Sequence, residues 1–119
     1  MKIILDTNFL VSSIKFKIDI FSELKGNELF VLDNVIKELE KICEGKGKDS
    51  ISAKLALKLL KTKKIEILKD KKKHTDDSLI YYGKKGYIIA TQDIKLKKKL
   101  KKKRVKFIYL RQKKYVFGG

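Results

Sequence analysis

Asp6, Glu38, Asp76, Asp77 and Asp93 are the residues of this chain best placed to do chemistry. Each lies where a run of Val, Ile or Leu gives way to a turn or a helix, or one turn into a helix. The surrounding chain is strongly basic, with 31 Lys and Arg against 14 Asp and Glu and a formal net charge of +17. Carboxylates that recur at the ends of apolar runs in such a sequence are unlike scattered solubilising charge. If the runs are parallel strands of one sheet, the acids meet beyond the strands' carboxyl ends, where open α/β sheets bind their ligands. Carboxylates so gathered repel, and without a cation their pKa values rise. Oxygen donors with no His or Cys beside them suit magnesium or manganese rather than zinc. One or two such ions polarise a phosphodiester and lower the pKa of a bound water. Thr7, Asn8 and Thr91 stand beside the acids, and the hydroxyl of Thr7, Thr91 or Ser78 can orient a water or a phosphate oxygen.

Each acid also has a simpler role open to it. Asp6 and Asp93 are placed to cap the helices that follow them. Asp76 and Asp77 fall in the first turn of a helix, where negative charge is favoured by roughly 0.3–1 kcal/mol. Glu38 can pair with a neighbouring Lys, and Asp33 reads as a cap. His74, the single histidine, reads as a solvated loop residue, and Cys43 continues an apolar helix stripe. Taken one at a time these residues say little; their joint placement carries the signal.

The elements that must position the acids follow from the apolar pattern. Lys2–Leu5, Leu29–Leu32, Ile65–Leu68, Tyr87–Ala90 and Val105–Leu110 are short, β-branched or continuously apolar runs, as strands buried on both faces should be. Helical spacing occupies the intervals. Val35, Ile36, Leu39, Ile42 and Cys43 form one stripe. Ile51, Leu55, Leu59 and Leu60 are the expected core face of the next helix. Leu79, Ile80 and Gly83 share a face with Asp76, and Ile94, Leu96 and Leu100 form a thin seam among lysines. Alternating strands and helices predict a three-layer α/β/α sandwich around a mostly parallel five-stranded sheet, one domain over residues 1–119. Tyr115–Phe117 in the basic, aromatic tail offers a further short edge strand.

Charge and composition bound the partners. A basic chain of this kind points toward phosphate backbones; a lysine-rich proteome is the plain alternative. No apolar run reaches the length of a membrane span. The basic residues do not flank an apolar helix face, so a membrane partner is not expected. One cysteine excludes an internal disulfide, and a reducing, cytoplasmic setting is expected. Lys97, Lys98, Lys101, Lys102 and Arg104 give one helix a nearly continuous basic surface, and Lys71, Lys72 and Lys73 add a cluster just before the acidic pair. Such lysines contact phosphates without reading sequence. Tyr81, Tyr82 and Tyr87 can offer stacking planes, with buried packing expected for at least one of them.

Four pieces in register resemble the PIN domain family of metal-dependent ribonucleases: Ile4-Leu5-Asp6-Thr7-Asn8, Val35-Ile36-Lys37-Glu38-Leu39, Thr75-Asp76-Asp77-Ser78-Leu79-Ile80 and Ala90-Thr91-Gln92-Asp93. Together they span nearly the whole chain. Within the family, the doubled acid and the basic helix after Asp93 look most like the branch that processes small-subunit ribosomal RNA. The VapC-type toxins are the nearest alternative by architecture and usually carry one acid where this chain has two. The resemblance implies magnesium or manganese held by Asp6, Glu38, Asp76 or Asp77, and Asp93, and hydrolysis of RNA, ribosomal RNA in the processing branch, by a metal-activated water. It implies a ribosome-assembly or an antitoxin protein as partner, and homodimers as in many relatives. A silent site on an RNA-binding assembly factor is the alternative from a different class.

Overall fold

The computed structural model describes residues 1–112 and 114–118. Its elements run β1 (Lys2–Leu5), α1 (Thr7–Lys15), α2 (Ile20–Glu23), β2 (Glu28–Leu32), α3 (Asp33–Cys43), α4 (Lys48–Thr62), β3 (Glu66–Leu68), α5 (Thr75–Lys84), β4 (Ile88–Ala90), α6 (Ile94–Lys102), β5 (Phe107–Arg111) and β6 (Lys114–Gly118). The strands form one six-stranded sheet in the order β3-β2-β1-β4-β5-β6. β1 to β5 are parallel, and β6 returns antiparallel along β5. The mixed α/β architecture around a mostly parallel sheet is the expected one, and the Tyr115–Phe117 run lies in the sixth strand.

The order reverses at β1, which has β2 on one side and β4 on the other. Right-handed crossovers then place α1 to α4 over one face of the sheet and α5 and α6 over the other. Central strands covered on both faces must be apolar throughout, and Ile3, Ile4 and Leu5 of β1 are all buried, as are Ile88, Ile89 and Ala90 of β4. At the β3 edge, Glu66 and Ile67 are exposed.

Two helices turn a different face inward from the expected one. In α4 the buried positions are Ser50, Ser52, Ala53, Ala56 and Leu60, while Ile51 is 67% and Leu55 43% exposed. Small residues let α4 approach α1 and α3 closely, since interaxial distance follows the side chains at the contact. In α6, Leu96 and Leu100 are fully buried, but Ile94 is 67% exposed. Two residues of helix rotate a side chain by about 200°, so Ile94 and Leu96 cannot share a face. α5 sits tight against the chain entering β5: a Cβ on Gly83 would lie 2.3 Å from Val105 Cγ1. That approach admits only glycine without a shift of the helix.

Candidate active site

Asp6 follows β1 at the point where the strand order reverses, and Asp93 lies three residues after β4, the neighbouring strand. Both end parallel strands, so both stand at the same edge of the sheet. The register brings β1 and β4 together so that Asp6 N–H donates to the Ala90 carbonyl (2.8 Å). The capping and clustering roles are not exclusive. Asp6 caps α1, accepting from Thr7 N–H (2.9 Å) through Oδ1, and Asp93 caps α6, accepting from Leu96 N–H (3.1 Å) through Oδ1. Each cap fixes one oxygen and with it the direction of the carboxylate.

Asp6, Glu38, Asp76 and Asp93 line one polar cavity of about 270 Å³, together with Thr7, Asn8, Val11, Ile42, Asp49 and Thr75. Thr91 is fully buried beneath it and holds it together. Its hydroxyl donates to Asp6 Oδ2 (2.8 Å), accepts from Asp93 N–H (3.1 Å), and lies 3.3 Å from Asn8 Oδ1. Asn8 Oδ1 in turn accepts from Gln92 N–H (3.0 Å). Across the cavity, the Thr7 hydroxyl donates to Glu38 Oε2 (3.1 Å), which ties α3 to the start of α1. Glu38 is exposed and makes no ion pair with a lysine among the described residues.

The electrostatics are those of carboxylates short of counter-charge. Burial pushes Asp6 up to about 6, against the hydrogen bonds from Thr91 and Thr7, and the charges of Glu38 and Asp76 push the same way. Asp76 is raised too, by burial first and then by Asp93, with Lys99 opposing. The Lys99 ammonium is 3.9 Å from Asp76 Oδ2. Asp77 is exposed and does not line the cavity. Of the doubled acid, Asp76 is therefore the one directed into the crevice. Asp49, at the start of α4, also lines it, although Lys15 pairs with it at 2.9 Å. Its sequence signal was faint, a single acid in a helix first turn.

The donor set fits a hard divalent cation. It consists of oxygen atoms, it includes a buried carboxylate whose charge is uncompensated, and the cavity has room for water. Among the described residues no three His, Cys, Asp or Glu side chains are gathered as a ready ligand set. An open arrangement suits magnesium, which keeps several waters and is held by one or two carboxylates plus substrate phosphates.

Other carboxylates at this edge are arranged differently. Asp33, the first residue of α3 directly after β2, accepts from Asn34 N–H (2.9 Å) and Asp70 N–H (3.1 Å) through Oδ1, and Asp70 Oδ2 also receives Asn34 N–H (3.1 Å). Asp33 is held below the usual carboxylate range, chiefly by its hydrogen bond with the Asp70 side chain. Burial, then the same bond, pushes Asp70 up. Asp70 Oδ1 is buried with no hydrogen-bond partner among the described residues. This pair pins the basic loop after β3 to the start of α3.

The basic residues divide by position. Lys71, Lys72 and Lys73 are exposed on the loop before α5, the helix whose first residues, Thr75 and Asp76, line the cavity. α6 runs away from Asp93, so Lys97 and Lys98 lie in its first turns. Lys101, Lys102 and Arg104 lie beyond its last turn or in it, roughly 12–16 Å along the axis at 1.5 Å per residue. Lys97 Nζ sits over the Tyr109 ring, 4.4 Å from its centroid. Tyr82 is buried and donates its hydroxyl to the Lys69 carbonyl (2.6 Å). It meets Tyr81 and Tyr87 edge to face, so these rings pack largely on one another. His74 is exposed at the start of α5 and makes no side-chain cap.

Fold and site together define a class. A PIN-like domain model matches residues 3–113, and the chain belongs to that family. It is 33% identical to ribonuclease VapC4 of Methanocaldococcus jannaschii, over 98% of this chain and 97% of that protein. To ribonuclease VapC9 of Archaeoglobus fulgidus it is also 33% identical, over 96% of this chain and 86% of the other. The solved structure of the PIN domain endonuclease Utp24 superposes with a TM-score of 0.80 at 26% identity, covering 98% of this chain and 90% of that one. Among the described residues no helix is long and apolar enough to cross a membrane.

Proposed function

We propose that the protein is a magnesium- or manganese-dependent endoribonuclease of the VapC type, acting in the cytoplasm. The observation that carries this reading is the meeting of Asp6, Glu38, Asp76 and Asp93 around one polar cavity at the switch point of the sheet. These four acids would hold the metal, which when bound lowers the pKa of a water and offsets charge on the scissile phosphate. The rest falls to the chain. Thr91 and the Thr7 N–H fix the orientation of Asp6, and the Thr7 hydroxyl fixes Glu38. Asn8, through Gln92 N–H, holds the turn that presents Asp93. Lys99 beside Asp76 and the lysines at 71–73 meet the RNA backbone as point charges.

The two VapC relatives, matched over nearly the whole chain, favour a toxin-type enzyme with an antitoxin-type protein partner. An apolar cleft of about 370 Å³ between α1, α2 and α4, lined in part by Leu10, Ile14, Ile18, Phe21, Leu55 and Leu59, gives such a partner a surface. Processing of ribosomal RNA is the second reading, favoured by the similarity to Utp24. Incubation of the purified protein with single-stranded RNA and millimolar manganese tests the activity. Cleavage is expected, stopped by EDTA and slowed on the order of a hundredfold or more by Asp6→Asn, as loss of a charge-stabilising group in an active site does. No cleavage, or equal cleavage by Asp6→Asn, overturns the reading. Arrest of a bacterial host on expression, dependent on Asp6, separates toxin from processing enzyme.

A further inference from the structure

The hairpin of β5 and β6 reaches beyond the rest of the sheet at the crevice edge. The last residue of β4, Ala90, pairs with Ile108, so Tyr109, Leu110 and Arg111 continue past it by roughly 10 Å at about 3.3 Å per residue. The extension is anchored to the loop that presents Asp93. Gln92 Oε1 accepts from Leu110 N–H (2.6 Å), and Gln92 Nε2 donates to the Leu110 carbonyl (3.3 Å). The glutamine amide thus acts as a further residue of β4. It fixes the hairpin tip relative to the acid next to it in sequence.

Arg111 and Lys114 pair across this tip, and both are exposed. Like charges directly opposite on a strand pair destabilise it. Among the described residues neither cation has a carboxylate partner, since the ion pairs are Lys15–Asp49 and Lys99–Asp76. Arg111 lies two residues from Tyr109 and so shares its face of the sheet. Lys97 stands over that ring. Two unpaired cations, held opposite each other on a braced tip beside the carboxylates, describe a place for an anion.

We propose that Arg111 and Lys114 form a phosphate-holding arm for the RNA strand that enters the carboxylate crevice. This rests on the ribonuclease reading and deepens it. The arm holds the strand on one side of the acids, opposite the lysines of the 71–73 loop. Lys102 and Arg104, at the far end of α6, lie off the path.

The test is binding of a labelled single-stranded RNA oligonucleotide of mixed sequence across a salt series, followed by fluorescence anisotropy in an Asp6→Asn background with EDTA present, so that the RNA stays intact. On single strands each phosphate contact contributes about 0.7 to the slope of log affinity against log salt. Arg111→Ala/Lys114→Ala is expected to lower the slope by about 1.4 and to weaken binding tenfold or more at low salt. Lys102→Ala/Arg104→Ala is expected to change the slope by less than half as much, and Arg111→Lys/Lys114→Arg to restore it. If the alanine pair disturbs the hairpin, Arg111→Gln/Lys114→Gln carries the same expectation with the side-chain length kept. An unchanged slope in both hairpin variants, or a larger loss from the far pair, overturns the arm while RNA binding stands. No RNA binding by the parent protein overturns the arm and the ribonuclease reading together.

Discussion

Two sets of carboxylates stand at the same edge of one sheet and meet opposite fates. Asp33 and Asp70 stand together and collect backbone N–H groups: Asn34 N–H reaches both carboxyls, and Asp70 N–H reaches Asp33. Asp6, Glu38, Asp76 and Asp93 face a cavity; Asp6 is pushed upward by burial and by the charges of Glu38 and Asp76, and Asp76 by burial and by the charge of Asp93. The first set is tied to the backbone of the protein itself and pins a loop. The second is incomplete and has room for a cation. An acid at the end of a strand is thus not by itself a ligand. What decides is whether the chain supplies the counter-charge or leaves it to something from solution.

The largest contrast should appear in the pH dependence of stability without metal. Asp6 is raised from 3.8 to about 6, so between those values the folded state binds the proton that the unfolded chain has released. Stability is then greatest below the unfolded pKa and falls as pH rises toward 6. The full shift of about two units corresponds to roughly 3 kcal/mol at most. Urea denaturation in EDTA should show that fall, and Asp6→Asn should flatten it and stabilise the metal-free protein at pH 7. A wild-type profile that is flat over this window, or identical for Asp6→Asn, would contradict the assignment of Asp6 as the uncompensated charge.

The Asp33–Asp70 pair should behave the other way. Asp33→Ala removes the acceptor for two part-buried N–H groups and should cost about 1–3 kcal/mol in denaturant unfolding. Metal-dependent RNA cleavage by the folded fraction should stay within a few-fold of wild type. Loss of cleavage comparable with that in Asp6→Asn would erase the distinction between the two sets.

How far the sequence disclosed this depended on the range of each interaction. β1 and β4 were legible because Ile3–Leu5 and Ile88–Ala90 carry their burial in consecutive residues, and strand alternation with helices then placed Asp6 and Asp93 at one edge. The sixth strand was visible as the Tyr115–Phe117 run, but its protrusion depends on a Gln92–Leu110 contact that no local pattern encodes. The Asp33–Asp70 bond spans 37 residues, so Asp33 read as a simple cap and Asp70 drew no notice. The inward face of α4 was misread because Ile51 and Leu55 are the larger apolar residues, while the packing there selects the smaller Ala53 and Ala56. Asp76 and Asp77 are indistinguishable as types. Their separation is one of helix phase, which turns Asp76 toward the cavity and Asp77 into solvent.

Calorimetric titration of manganese into the RNA-free protein tests the central contrast most directly. Saturable binding at up to millimolar metal is expected in the wild-type protein and in Asp33→Ala, and its loss in Asp6→Asn. Absence of binding in the wild type, or an isotherm unchanged by Asp6→Asn, would contradict the account.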